Sequence, residues 1–166
     1  MMNKRVSLIV MPLMLIATMT AAVGVAVAAQ IPRPVATTVA SGRLPTPVHA
    51  VMVAATDTDT TASIADVNEI RVVKFELEPG GAFPWHQHPG PVWVVVTRGT
   101  LTFYTAACEA NPYPTGSAFF DPGTLTHTAR NEGSEPVEVL ATFMFPANAG
   151  VASAPQPAAE SCPVEV

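Results

Sequence analysis

His86 and His88 stand one residue apart in the stretch GGAFPWHQHPGPVWVVVTRGT, Gly80 to Thr100. In an extended strand, residues i and i+2 project from the same face. The two imidazoles would then lie side by side, a bidentate grip for a divalent metal. Two solvated or structural histidines are the plain alternative, because a His-x-His pair carries little information alone. His49 lies in a Pro/Thr-rich segment and is expected to be solvated. Gln87, between the paired histidines, should face away from them.

The elements around this pair read as short strands. In IRVVKFELEPG, Val73, Phe75 and Leu77 share one face and Lys74, Glu76 and Glu78 the other, the period of a half-buried strand ended by Pro79-Gly80-Gly81. Further strands are expected at Phe83 to His88, Val92 to Thr97, Thr100 to Ala106, Ser117 to Phe120, His127 to Arg130 and Pro136 to Ala147. The last places Val137, Val139, Ala141, Phe143 and Phe145 on one face. Cys108 to Gly116 reads as a loop. Close-spaced turn signals with almost no helical period indicate an all-β barrel or sandwich. An immunoglobulin-like sandwich fits the strand count but not the buried-tryptophan pattern of that fold.

The ends differ in character. Lys4 and Arg5 precede an apolar run to Val27, interrupted by Ser7, Thr18 and Thr20, and Ala26-Val27-Ala28 has the small-x-small form that a signal peptidase reads. Residues 1–28 are therefore expected to be a signal peptide, with an uncleaved membrane anchor as the alternative. Residues 29–66 are expected to be a flexible Pro/Thr/Ala-rich lead-in with an edge strand near Val48 to Ala54, and residues 148–166 a tail held through a disulfide. Beyond Ala28 the chain has six Lys and Arg against thirteen Asp and Glu, net −7. That balance disfavours nucleic acid and anionic lipid as partners, and no stable membrane association is expected once the leader is removed. In an exported protein the only two cysteines, Cys108 and Cys162, are expected to pair, in preference to two free thiols. Closing a loop of that length contributes about 4 kcal/mol in the chain-entropy model.

The His-x-His segment resembles the first signature of the cupin superfamily: Gly, five residues, His-x-His, three or four residues, Glu, six residues, Gly. Gly80, His86, His88 and Gly99 fall at those places. GSAFFDPGTLTHTARN is similar to the second signature, with Gly116, Pro122, His127 and Asn131 in step. The resemblance covers about Ile70 to Pro146. It implies a single-domain cupin-type β-barrel (a double-stranded β-helix, or jelly roll) over residues 67–147, a homodimer, and metal ligation by His86, His88 and His127. Two departures accompany it. The family's glutamate falls at Val92, or at Trp93 with the longer spacing, so its carboxylate ligand is missing. The second signature's internal glycine is Thr124, which should make that turn harder to build.

Three neutral imidazoles would leave a divalent ion its full double charge, favouring an anionic or enolate-type small-molecule ligand. Zn is favoured for an exported protein, with Fe, Mn, Cu or Ni as the other ions such a site can take. The resemblance makes a metal-dependent dioxygenase, isomerase or hydrolase one reading. A non-catalytic binding or sensing module, or a metal-free relic, is the other. Phe83, Val92, Val94, Phe119 and Phe143 are expected to line the pocket. Trp85, Val96 and Phe145 are expected to line or fill the barrel beside them. Strict alternation would turn Phe83 and Trp85 outward with Gln87, and Pro89-Gly90-Pro91 leaves open which of Val92 and Trp93 faces the metal. The acid/base candidates are poor by position: Arg98 and Asp121 lie in turns, Arg130 lies near one, and Tyr104 faces out if Phe103 faces in.

Overall fold

The computed structural model describes residues 30–48, 51–55, 60–64, 66–146, 149, 153–158 and 160–166. The proposed leader and His49 lie outside these residues. In chain order the strands are β1 (Val35–Val48), β2 (Val51–Ala55), β3 (Thr60–Ile64), β4 (Val67–Leu77), β5 (His86–Gln87) and β6 (Val92–Arg98). They continue with β7 (Thr100–Thr105), β8 (Ala110–Pro114), β9 (Ala118–Asp121), β10 (His127–Arg130), β11 (Val137–Pro146) and β12 (Ala154–Pro155). No helix occurs among the described residues.

Two five-stranded antiparallel sheets carry the fold, ordered β1-β4-β11-β6-β9 and β12-β5-β10-β7-β8, while β2 and β3 pair with each other. The expected alternation is what closes the core. Val137, Val139, Ala141, Phe143 and Phe145 on β11 are all buried, together with Val73 and Leu77 on β4, and Val92, Val94 and Val96 on β6. Leu101, Phe119 and Ala129 pack against them from other strands. This is the double-stranded β-helix that the resemblance implies. The open parity question on β6 is resolved by burial: Val92 is inside, and Trp93 points out to lie against Phe120.

Three features differ from the expectations. The lead-in is not structureless: β1 runs antiparallel along β4, from Val35 opposite Glu76 to Val48 opposite Val67. Its side chains are mostly exposed, so it is held by backbone hydrogen bonds that need no apolar period, as suits an edge strand. The loop between Cys108 and Gly116 contains β8, a proline-bearing strand at the edge of the second sheet, where missing N–H groups can face solvent. The tail is held by more than its disulfide. Cys108 and Cys162 are bonded, but β12 also pairs with β5, the Gln156 N–H donates to the Trp85 carbonyl at 2.8 Å, and Arg130 donates to the Glu165 carbonyl at 2.7 Å.

Asn131 locks the two signature segments together. Its N–H donates to the Gly81 carbonyl and its own carbonyl accepts from Gly80, both at 2.9 Å. Its side-chain Nδ2 donates to the carbonyls of Leu77 at 3.0 Å and Glu135 at 2.8 Å, while Oδ1 accepts from the Gly133 N–H at 3.0 Å. Asn131 is fully buried, so removing the amide strands backbone groups that water reaches poorly. Asn131→Ala should cost about 3 kcal/mol of unfolding free energy, read from urea midpoints. A loss below about 1 kcal/mol would contradict this role.

Candidate metal centre

His86 sits on β5 and His127 at the start of β10, directly opposite each other in register. His88 follows β5 by one residue. The three rings gather together, with centroids 4.7 Å apart for His86 and His88, 4.3 Å for His86 and His127, and 5.2 Å for His88 and His127. One ligand atom from each lies within 4.8 Å of the others. His86 and His127 are buried and His88 is half-buried.

Carbonyl oxygens orient two of these rings. Nδ1 of His86 donates to the Pro84 carbonyl at 2.6 Å, and Nδ1 of His127 donates to the Leu125 carbonyl at 2.8 Å. A carbonyl can only accept, so each Nδ1 carries the proton and each neutral ring presents its Nε2 lone pair to the centre. Nε2 of His86 lies 3.2 Å from Nε2 of His88. Burial lowers the His86 pKa from 6.5 to about 4, with a smaller contribution from His127, against the Pro84 carbonyl. Burial also lowers His127 to about 4, against the Leu125 carbonyl. Both rings are thus neutral near pH 7, the state that ligates a metal.

Asp121 is the residue that the sequence reading misplaced. It is not a solvated turn residue: it ends β9, is only 2% exposed, and points inward. Its Oδ2 lies 3.1 Å from Nε2 of His127 and 3.5 Å from Nε2 of His88, and its Oδ1 accepts the Gly123 N–H at 2.8 Å. Burial raises its pKa from 3.8 to about 6, opposed by His88 and the Gly123 N–H. The three histidines therefore do not form an all-neutral set, because a carboxylate stands among them. Phe119 and Asp121 lie two apart on one strand, so placing Phe119 in the pocket already implied an inward Asp121. The Asp-Pro-Gly turn signal masked it.

Glycine packing fixes this geometry. Gly123 has φ +84°, and a Cβ on it would overlap the carbonyl of Gly90. The Gly123 carbonyl accepts the His88 N–H at 2.7 Å. The positive-φ glycine of this turn stands one position before the place given by the second signature, and Thr124 is not at positive φ. Among the other acid/base candidates, Tyr104 donates to Glu132, Arg98 is exposed beside Glu135, and Arg130 holds the tail.

Phe83, Val92, Val94, Phe119 and Phe143 all line a cavity of about 60 Å³ that includes the three histidines and Asp121. Strict alternation would have turned Phe83 and Trp85 outward, but they precede the two-residue β5. Phe83 lines the cavity and Trp85 is buried. A larger open groove of about 850 Å³ shares Phe103, Phe119, Asp121 and His127 with it. The ring of Phe103 stacks on His127 at 5.0 Å. Gln87 turns away and donates to Thr126 at 3.0 Å.

Residues 73–143 match the family described as Cupin domain. Two proteins of Prunus persica, auxin-binding proteins ABP19a and ABP19b, are each 32% identical over 82 residues, 46% of this chain. The chain spans 39% of the length of these relatives. Among solved structures, a conserved protein with a double-stranded β-helix domain from Klebsiella pneumoniae subsp. pneumoniae MGH 78578 superposes with TM-score 0.51 at 19% identity, covering 78% of this chain and 91% of that one. Residues 73–143 are thus a cupin domain.

The pKa shifts set a pH dependence for the metal-free chain. His86 and His127 are depressed from 6.5 to about 4, so in that window the unfolded chain binds two protons that the folded chain does not. Asp121, raised from 3.8 to about 6, acts oppositely by one proton. Stability should therefore fall as pH drops from 6.5 to 4, with a net slope of about one proton. Urea unfolding in chelator checks this, and stability that stays level or rises on acidification would contradict it.

Proposed function

We propose that this chain is an exported cupin whose His86, His88 and His127 hold a divalent ion, and that the ion binds a small molecule bearing an acidic or enolic oxygen. The observation that carries this reading is the pair of Nδ1–carbonyl bonds, which leave the Nε2 lone pair of His86 3.2 Å from Nε2 of His88 and that of His127 3.1 Å from Oδ2 of Asp121, inside one cluster. Buried lone pairs aimed at one another are unfavourable unless a proton or a cation sits between them. Zn fits the nitrogen donors and an oxidising compartment. When bound, the ion supplies Lewis-acid polarisation of a ligand oxygen.

The chain's own residues would select the ligand's body. Phe83, Phe103, Phe119 and Phe143 give the cavity apolar walls, which suit a small planar or aliphatic group. The adjoining groove offers an entrance past Thr105, Asn111 and Thr124. The peach relatives are named as auxin-binding proteins, which supports a small organic ligand in this family. Export is supported by the Cys108–Cys162 bond together with the N-terminal leader pattern. A second reading is turnover of that ligand by dioxygenase, isomerase or hydrolase chemistry. It is favoured by the groove beside the cavity, which shares His127 and Asp121 with it.

Protein recovered through an export route should contain about one divalent ion per chain by elemental analysis. His127→Ala should lose it while the far-ultraviolet circular dichroism stays that of a β protein. Negligible metal in the unmutated chain under metal-replete conditions would refute the site.

A further inference from the structure

Val92 and Asp121 occupy directly opposed positions on neighbouring strands β6 and β9. Both are buried, and both line the cavity around the histidines. The first-signature place that holds a glutamate in the family is therefore filled by an apolar side chain. A carboxylate enters the same cavity from the strand alongside.

We propose that Asp121 is a fourth protein donor to the ion held by His86, His88 and His127, a carboxylate relocated from position 92 to the facing position of the next strand. This rests on the metal-site reading above. The supporting geometry is the spacing of donor atoms. Two donors bound to one ion at about 2.1 Å are about 3.0 Å apart at a right angle and about 3.4 Å apart at a tetrahedral angle. Nε2 of His86 to Nε2 of His88 is 3.2 Å, Nε2 of His88 to Oδ2 of Asp121 is 3.5 Å, and Oδ2 to Nε2 of His127 is 3.1 Å. Three of the six edges of a four-donor polyhedron are thus matched.

The hydrogen bonding agrees. Oδ1 is taken by the Gly123 N–H, which leaves Oδ2 directed at the imidazoles. Because Nδ1 of His127 donates to the Leu125 carbonyl, the neutral ring meets Oδ2 with a lone pair. Two acceptors 3.1 Å apart in a buried site call for a positive centre between them. A carboxylate in the set halves the charge of a divalent ion, so the ligand that completes the site would be a monoanion or a neutral molecule. Four protein donors would suit a Zn ion, with the bound small molecule as a further ligand.

The test is Zn(II) titration against a competing chromophoric chelator, on the full chain, for unmutated protein, Asp121→Asn and His127→Ala. Asparagine keeps an oxygen for the Gly123 N–H, so the turn has no reason to open. Asp121→Asn should weaken Zn affinity about 100-fold or more, a loss at or above the top of the range for residues that only support a ligand. Affinity within threefold of the unmutated chain would overturn the assignment while leaving the three-histidine site standing. Absence of Zn binding by the unmutated chain would overturn both. A second measurement needs no variant. The infrared difference spectrum of the unmutated protein on Zn addition should show a carboxylate stretch changing at one equivalent, and its absence would equally overturn the assignment.

Discussion

Two short hydrogen bonds, from Nδ1 of His86 to the Pro84 carbonyl and from Nδ1 of His127 to the Leu125 carbonyl, determine what this cupin can do. In each case the acceptor belongs to the residue two places earlier in the chain, so the local backbone path sets the tautomer and the aim of the ring. With both protons committed outward, the inward nitrogens are lone pairs. Burial then makes protonating them costly, and an external cation becomes the natural occupant of the space between. The three-histidine cluster is thus preorganised by main-chain groups rather than by a shell of charged side chains.

That local arrangement depends on backbones that approach unusually closely. The first signature's Gly90 lies against the second signature's Gly123, and neither has room for a Cβ. Gly123 also joins two of the polar groups directly, accepting from the His88 N–H and donating to Asp121. Asn131 ties the same two segments at the opposite end of β10, through its backbone, both of its amide hydrogens and its side-chain oxygen. The long apolar faces of β4, β6 and β11 supply the burial that holds this frame shut. Burial stabilises the sandwich, and the glycine and asparagine contacts place the ligands to within hydrogen-bond tolerances.

Period-two patterning made most of this frame readable in the sequence. Strand β11 buries the five alternate residues from Val137 to Phe145, and β4 behaves the same way at Val73 and Leu77. Spacing also brought His86, His88 and His127 forward as a set, through their likeness to the two signatures. What could not be read lacks side-chain periodicity. β1 is held by backbone bonds along β4 with its side chains in solvent, and β8 reads as a loop because of its prolines. Asp121 is the instructive failure. The Asp-Pro-Gly composition ends the expected strand at Phe120 and makes Asp121 a turn residue, whereas β9 runs on to Asp121 and alternation from Phe119 turns it inward. The structure favours parity. Position 92 can be apolar here because the adjacent strand supplies the carboxylate to the same cavity.

The central claim is that the inward nitrogens of three histidines share one ion. The most direct measurement is an anomalous-difference map from crystals of the full chain grown with Zn. It should contain one strong peak at about 2.1 Å from Nε2 of His86, His88 and His127 alike. A peak bound by only two of these rings, or one bound elsewhere with the ring of His127 turned from the cluster, would contradict the account.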